Sequence, residues 1–307
     1  MKPSKKILIV GGTGFIGYHL AKKSLKKGWQ VTSISSKPPK KIRYLSKVKY
    51  ICCNIVNKKL LKKSTENNFD YVVNLGGYVD HSNKKKTFLS HYNGCKNLAE
   101  IFLKKKISSF IQIGSSLEYG ASHSPQKENI KCSLKSIKSI YGKAKLYASL
   151  YVIGLFKKKN FPATVLRPYL IYGPKQDVNR FLPSIIKGCL KNKKFPSSKG
   201  DQLRDFLYVD DAVEAIIKSL INKNAKGQII NIGSGKPKLI KNVIEKVKKI
   251  SKGGKPQYGM FKLRKFDIPE LYPSIEKIKY KINWHPKISF DKGLKKTINS
   301  YRQVNEK

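Results

Sequence analysis

Short apolar runs alternate along this chain with longer stretches whose apolar positions recur at helical spacing. Lys6–Val10 reads Lys-Ile-Leu-Ile-Val, and runs of similar character follow at Gln30–Ile34, Val48–Ile51, Tyr71–Asn74, Phe110–Ile113 and Ala163–Leu166. Brief β-branched runs of this kind predict parallel strands buried on both faces. Helical patterns fall between them, one opening near Tyr18 and others covering Lys84–Lys105 and Tyr141–Lys158. The alternation predicts an α/β fold, a Rossmann-type doubly wound parallel sheet with helices on both faces. After Pro174 the pattern becomes irregular, with prolines at 183, 196, 237, 256, 269, 273 and 286. Helices are expected there at Val178–Leu190, Asp211–Ile221, Ile240–Ile250 and Asp291–Tyr301. We therefore expect residues 1–174 to hold the sheet and residues 175–307 to form a smaller mixed α/β lobe, with some chain crossing back to the sheet.

Between the first strand and the first helix stands Gly11-Gly12-Thr13-Gly14-Phe15-Ile16-Gly17. Glycines at 11, 14 and 17 permit a tight turn, close approach of backbone to a pyrophosphate, and close packing of helix on strand. The helix N-terminus then offers free N–H groups to phosphate. Gly11, Thr13, Gly14, Phe15, Ile16 and Gly17 are accordingly expected to bind a dinucleotide.

A second pattern is Tyr141-Gly142-Lys143-Ala144-Lys145. A spacing of four places phenol and ammonium on one helical face. A cation beside a phenol favours the phenolate and lowers its pKa, which makes the phenol a usable acid or base. Tyrosine and lysine are abundant here, so a surface helix would produce the pattern unaided. The glycine turn gives it weight.

At these two motifs the chain resembles the extended short-chain dehydrogenase/reductase family, in its nucleotide-sugar epimerase/dehydratase branch. Matching segments run almost end to end: Gly114-Ser115-Ser116-Leu117-Glu118-Tyr119-Gly120, Leu166-Arg167-Pro168-Tyr169-Leu170-Ile171-Tyr172-Gly173-Pro174, Arg204-Asp205-Phe206-Leu207-Tyr208-Val209-Asp210-Asp211 and Ile282-Asn283-Trp284-His285-Pro286. The resemblance implies a catalytic group of Ser115, Tyr141 and Lys145. Ser115 would hydrogen-bond the substrate oxygen that changes between hydroxyl and ketone. Tyr141 would pass the proton, and Lys145 would lower its pKa while holding the nicotinamide ribose. It also implies cofactor contacts from Asn54, Ile55, Leu75, Gly76 and Gly77. Substrate contacts would come from Ser116, Arg180, Arg204 and Arg264, with Arg204 on the nucleotide diphosphate. Ser116 and Leu117 occupy positions where 4,6-dehydratases carry an Asp-Glu pair. A leucine cannot move a proton, so dehydration is disfavoured. Leu170 and His91 both stand where the family usually has asparagine, and neither is given a role. Asp210 and Asp211 are expected to cap the helix that follows, Arg167 to be structural, and Trp284 and Pro286 to pack near the C-terminus.

The end of the second strand decides the cofactor. An acidic residue there binds the ribose 2′-hydroxyl of NAD and repels a 2′-phosphate. Here Ser35, Ser36 and Lys37 follow instead, and with Arg43 they suit a phosphate, so NADP(H) is favoured over NAD(H).

Composition adds three points. Five scattered cysteines show no metal-ligand spacing and read as reduced thiols of a cytoplasmic protein. No apolar run approaches the roughly 20 residues of a membrane span, and the N-terminus does not read as a secretory signal. The net charge is +47, yet of 65 basic side chains only those at 43, 167, 180, 204, 264 and 302 are arginine. Lysine spread over every predicted helix and loop reads as a solvated surface rather than a nucleic-acid face, and its field would draw an anionic substrate. Three functions compete: an NADPH-dependent reductase of a nucleotide-linked 4-keto (deoxy)sugar, a nucleotide-sugar 4-epimerase on tightly held NAD, and a non-catalytic NADP- or polyanion-binding protein. The first is favoured, and the intact Ser-Tyr-Lys set argues against the third. The resemblance also implies a homodimer through Lys84–Lys105 and Tyr141–Lys158, opposed by the lysine runs those segments carry.

Overall fold

A computed structural model of the chain describes residues 4–262 and 267–305. Seven strands make the central sheet: β1 (Lys6–Val10), β2 (Gln30–Ser35), β3 (Val48–Cys52), β4 (Tyr71–Asn74), β5 (Ser109–Ile113), β6 (Ala163–Pro168) and β7 (Ile229–Ile232). Their order is β3-β2-β1-β4-β5-β6-β7, every neighbouring pair parallel. In register, Ile7 pairs with Val31 on one side and Tyr71 on the other. The chain reverses direction of travel between β1 and β4, and at such a switch point the C-terminal strand ends open a crevice.

Both sheet faces are covered, which is why the strands are apolar without alternation. On one face Ile7, Ile9, Val31, Val73 and Ile111 pack with Leu20 of helix Phe15–Lys26 and with Ala212 and Ile216 of helix Val209–Ile221. On the other, Leu8, Val10, Val72 and Phe110 pack with Leu98 and Phe102 of helix Gly94–Leu103 and with Ala148 and Val152 of helix Ile140–Lys159. Most of these side chains are wholly buried, each valine, leucine, isoleucine or phenylalanine among them contributing on the order of 1.5–3 kcal/mol.

The region expected as one helix over Lys84–Lys105 runs Lys84–Phe88, then a π-helical turn at Leu89–Asn93, then Gly94–Leu103. The helix expected from Val178 begins at Phe181, with Arg180 at its N-cap and Pro183 tolerated in its first turn. Asp210 and Asp211 lie in the first turn of their helix without capping it. Asp211 instead accepts the Ile288 N–H at 2.9 Å, tying the C-terminal segment down.

Outside the seven-stranded sheet are small strand pairs, Leu170–Tyr172 with Phe206–Tyr208 and Lys194–Ser197 with Lys255–Tyr258, beside helices Phe181–Leu190 and Ile240–Ser251. Their apolar side chains join the core of the first sheet face, and Trp284 is buried as expected. The segment after Pro174 is fastened to the first lobe. His19 Nε2 lies 3.0 Å from the Pro174 carbonyl, and Lys175 Nζ donates to the Tyr18 hydroxyl at 2.8 Å.

Candidate active site

The glycine turn is built as its sequence demands. Gly11 has φ +81°, a conformation that side chains rarely adopt, and its N–H donates to Ile34 O at 2.7 Å. A Cβ on Gly17 would stand 2.3 Å from Gly11 O, so only glycine lets the helix seat on the turn. Gly14 caps helix Phe15–Lys26 with no side-chain acceptor, which leaves the first-turn N–H groups of Phe15, Ile16 and Gly17 facing the crevice. Such a cradle fits a dinucleotide pyrophosphate.

Around it, Ser35 Oγ accepts the Thr13 N–H at 3.4 Å, and Ser36 and Lys37 are exposed. Asn54 Oδ1 closes a turn onto Val56 N–H at 3.0 Å, leaving its amide NH₂ for a ligand. Ile55 is buried, and Gly76 N–H donates to Asn74 Oδ1 at 3.1 Å. Leu75, Gly76 and Gly77 follow directly on β4, at the crevice. One expectation is corrected. Arg43 does not reach toward a 2′-phosphate: its guanidinium donates to Lys175 O at 2.7 and 3.0 Å and pairs with Asp177 at 3.0 Å. The acceptors come from far along the chain, beyond the reach of local reading.

Ser115, Tyr141 and Lys145 meet at the C-terminal end of β5. Ser139 caps the helix Ile140–Lys159, accepting Gly142 N–H at 3.0 Å, and so puts Tyr141 in its first turn. Lys145 is buried one turn on, its Nζ donating to Ile113 O at 2.7 Å and lying 5.8 Å from the centre of the Tyr141 ring. Burial pulls the Lys145 ammonium down to about 8. Burial also pushes the Tyr141 phenol up to about 12, against the Ser115 hydroxyl and the Arg180 charge, which favour the phenolate. This corrects the expectation that Lys145 lowers the Tyr141 pKa: the ammonium is turned to a backbone carbonyl, and desolvation outweighs the rest. His81 stacks on the Tyr141 ring with centroids 4.2 Å apart, and His91 meets it edge-on at 4.9 Å.

Ser115 is held by a residue that motif reading passed over. Glu118 Oε1 accepts the Ser115 N–H at 2.7 Å while Ser115 Oγ accepts Leu117 N–H at 3.1 Å, a capping box. Glu118 Oε2 takes the Arg167 Nε–H at 2.9 Å, both side chains buried. Ser-x-x-Glu was the available signal. Ser116 is buried in the same turn.

The substrate arginines divide. Arg180 is exposed, and its charge reaches Tyr141. Arg204 is buried and donates to Leu203 O and Pro269 O, each at 2.9 Å, and to Asp267 at 3.0 Å, so its fork is engaged within the lobe. Arg264 lies outside the described residues. Leu170 is half-exposed, its strand paired to Phe206, whose ring neighbours Phe181 at 6.2 Å. Among the described residues no group of acids, histidines and cysteines could hold a metal, and no helix is long and apolar enough to cross a membrane.

A model of the NAD dependent epimerase/dehydratase family matches residues 7–233. The chain is 28% identical to a UDP-N-acetyl-alpha-D-glucosaminuronate decarboxylase of Bacillus cytotoxicus over 98% of each protein. It is 27% identical to a UDP-glucuronate 4-epimerase of Thermodesulfobacterium geofontis, over 95% of this chain and 94% of the relative. Among solved structures, a UDP-glucuronic acid 4-epimerase of Bacillus cereus, in complex with UDP-glucuronic acid and NAD, superposes with TM-score 0.87 at 26% identity, covering 97% and 99%. An epimerase of Methanothermobacter thermautotrophicus shares the fold at TM-score 0.92 and 22% identity, covering 99% and 94%.

Proposed function

The chain belongs to the NAD-dependent epimerase/dehydratase family, and from that premise we propose that it reduces a nucleotide-linked 4-keto sugar with a nicotinamide dinucleotide. The meeting of Ser115, Tyr141 and Lys145 at the end of β5 carries the reading. A phenol pushed up to about 12 by burial meets the substrate as an acid, suited to protonate a ketone oxygen. A bound dihydronicotinamide would supply the hydride. Ser115 hydrogen-bonds the same oxygen, Tyr141 delivers the proton, and the Lys145 ammonium, anchored on Ile113 O, holds a ribose hydroxyl. Arg180 adds positive charge from the second lobe.

Dehydration is disfavoured by the residues present, although dTDP-D-glucose 4,6-dehydratases are among the relatives of this chain. Leu117 cannot transfer a proton, and the neighbouring carboxylate, Glu118, is fixed to Arg167 and the Ser115 N–H. For the cofactor we favour NADPH, because Ser35, Ser36 and Lys37 present no acid to repel a 2′-phosphate. With Arg43 engaged, Lys37 alone supplies the charge. A second reading, 4-epimerase on retained NAD, draws support from the two 4-epimerases named above. We also infer a homodimer. The lysine runs 84–86, 104–106 and 157–159 sit at helix ends, leaving Tyr92, Tyr147, Leu150 and Tyr151 between them, with Leu150 53% exposed.

The deciding experiment denatures purified protein, identifies any released nucleotide by mass, and titrates the cofactor-free chain with NADPH and NADH. It then follows oxidation of the better reductant against nucleotide-linked 4-keto sugars. Retained NAD with no net oxidation would replace the reductase by the epimerase.

A further inference from the structure

Two buried amides interrupt an apolar row of the central sheet. Asn74 and Gln112 are register partners on β4 and β5, and the row continues to Val10 on β1 and Val165 on β6. Alternation puts them on the same sheet face as Val72 and Phe110, under helices Gly94–Leu103 and Ile140–Lys159. Each is 1% exposed. A valine in either place would continue the core, whereas an amide buried there costs free energy unless it is hydrogen-bonded.

The bonds run in one direction. Asn74 Oδ1 accepts the Gly76 N–H at 3.1 Å, Asn74 Nδ2 donates to Gln112 Oε1 at 2.7 Å, and Gln112 Nε2 donates to Ile113 O at 2.9 Å. A backbone donor at one end and a backbone acceptor at the other fix both amide orientations. The far end is the carbonyl that also receives Lys145 Nζ, at 2.7 Å. Gln112 and Lys145 therefore share one acceptor, and the Gln112 N–H turns its positive end toward the anchor of the ammonium.

The polar groups around that ammonium are uncharged or already engaged. Cys95 and His91 face it from helix Gly94–Leu103 and the π turn Leu89–Asn93, Tyr141 from its own helix, and Glu118 from the turn after β5. Burial keeps the first three neutral, with Cys95 and Tyr141 pushed up to about 12 and His91 down to about 2. Glu118 is bound to Arg167. The strength of the Ile113 carbonyl as an acceptor is thus felt directly by Lys145.

We propose that Gln112 is a positioning residue for Lys145: by sharing the Ile113 carbonyl it limits the hold of that carbonyl on the ammonium and leaves the remaining N–H groups to the bound dinucleotide, while Asn74 ties the same unit to the Leu75–Gly77 loop. The role rests on the nicotinamide chemistry proposed above.

The test follows Lys145 itself by NMR, in protein carrying lysine labelled with carbon-13 at Cε and with no dinucleotide or sugar present. Its signal is the one missing from Lys145→Arg. In wild type it should titrate at about 8. In Gln112→Met the carbonyl serves the ammonium alone, and the midpoint should rise by about one pH unit, the order of a hydrogen bond strengthened at a charged group. Asn74→Leu with Gln112→Met strands neither amide and should show the same rise, should the single variant not fold. A midpoint that moves up by less than about 0.3 unit, or moves down, would overturn the proposal, since a merely structural amide would change the melting temperature and leave the titration in place. Wild type that binds neither NADPH nor NADH in fluorescence titration would instead refute the proposed function, a distinct outcome.

Discussion

Glu118→Gln would test the support beneath Ser115. The carboxylate is fully buried, its partner Arg167 2% exposed, and the Nε–Oε2 separation is 2.9 Å. The guanidinium also lies 4.4 Å over the Tyr119 ring, whose hydroxyl donates to Asn231 at 2.8 Å. Glutamine keeps the shape and removes the charge, stranding a guanidinium that cannot lose its proton. Breaking such a pair on one side costs about 3–5 kcal/mol. At about 2 °C per kcal/mol for a chain of this size, the melting temperature should fall by roughly 6–10 °C. Replacing both partners with apolar side chains, Glu118→Leu with Arg167→Met, should recover most of that loss, because neither charge then remains buried. Calorimetry on the double variant and on the single Glu118→Leu and Arg167→Met variants closes the cycle. Turnover should stay low in the double variant, since Ser115 N–H has lost its acceptor. A Glu118→Gln protein melting within about 2 °C of wild type, or a double variant no more stable than the single, would refute the reasoning.

Tyr141→Phe should abolish turnover yet leave dinucleotide affinity within about threefold, read by fluorescence titration, because it removes only the proton carrier. The reductase rate should decline as pH rises through about 8, where buried Lys145 loses its proton. A Lys145→Arg variant should lack that limb. The sign for stability is opposite: between about 8 and the ordinary 10.5 the unfolded chain binds the extra proton at this site, so its contribution to stability should increase with pH. Arg180→Lys should raise KM for the nucleotide sugar roughly tenfold at unchanged dinucleotide Kd, since an ammonium lacks the planar fork. Leu150→Lys should give a monomer in sedimentation where wild type is dimeric, and an unchanged sedimentation coefficient would remove the helix pair as the interface.

β1 and β4 were legible because burial on both faces writes itself as apolar runs, and they begin and end where the sequence placed them; β2, with serine and threonine among its residues, and β6 run only slightly longer than expected. β7 was not placed, although Gly227-Gln228-Ile229-Ile230-Asn231-Ile232-Gly233 is a short β-branched run between glycines. It follows a long excursion, and periodicity says nothing about which sheet a strand rejoins. The π turn was hidden too, since one inserted residue leaves a helical pattern nearly intact. In the site, the pairing of Tyr141 with Lys145 was legible in local spacing, whereas Ser115 came from the family resemblance. The fates of Arg43 and Arg204 were not, because Asp177 and Asp267 are distant in sequence and only the fold sets them opposite those side chains. The Tyr141 pKa failed for another reason: spacing shows that a cation is near, but not that the pocket is dry.

The arginines give the site its last argument. In a chain that places lysine on nearly every exposed basic position, a surviving arginine marks a place where a point charge would not serve. Arg43, Arg167, Arg204 and Arg302 meet that description inside the protein, each directing its fork at carbonyls or carboxylates. Arg180 is different. It is exposed, caps no helix with its side chain, and its charge reaches Tyr141. A solvated surface position would have accepted lysine here as it does at Lys187 and Lys191 on the same helix. Planar, bidentate recognition is what lysine cannot replace, and the diphosphate of a nucleotide sugar presents the paired oxygens that such a fork matches.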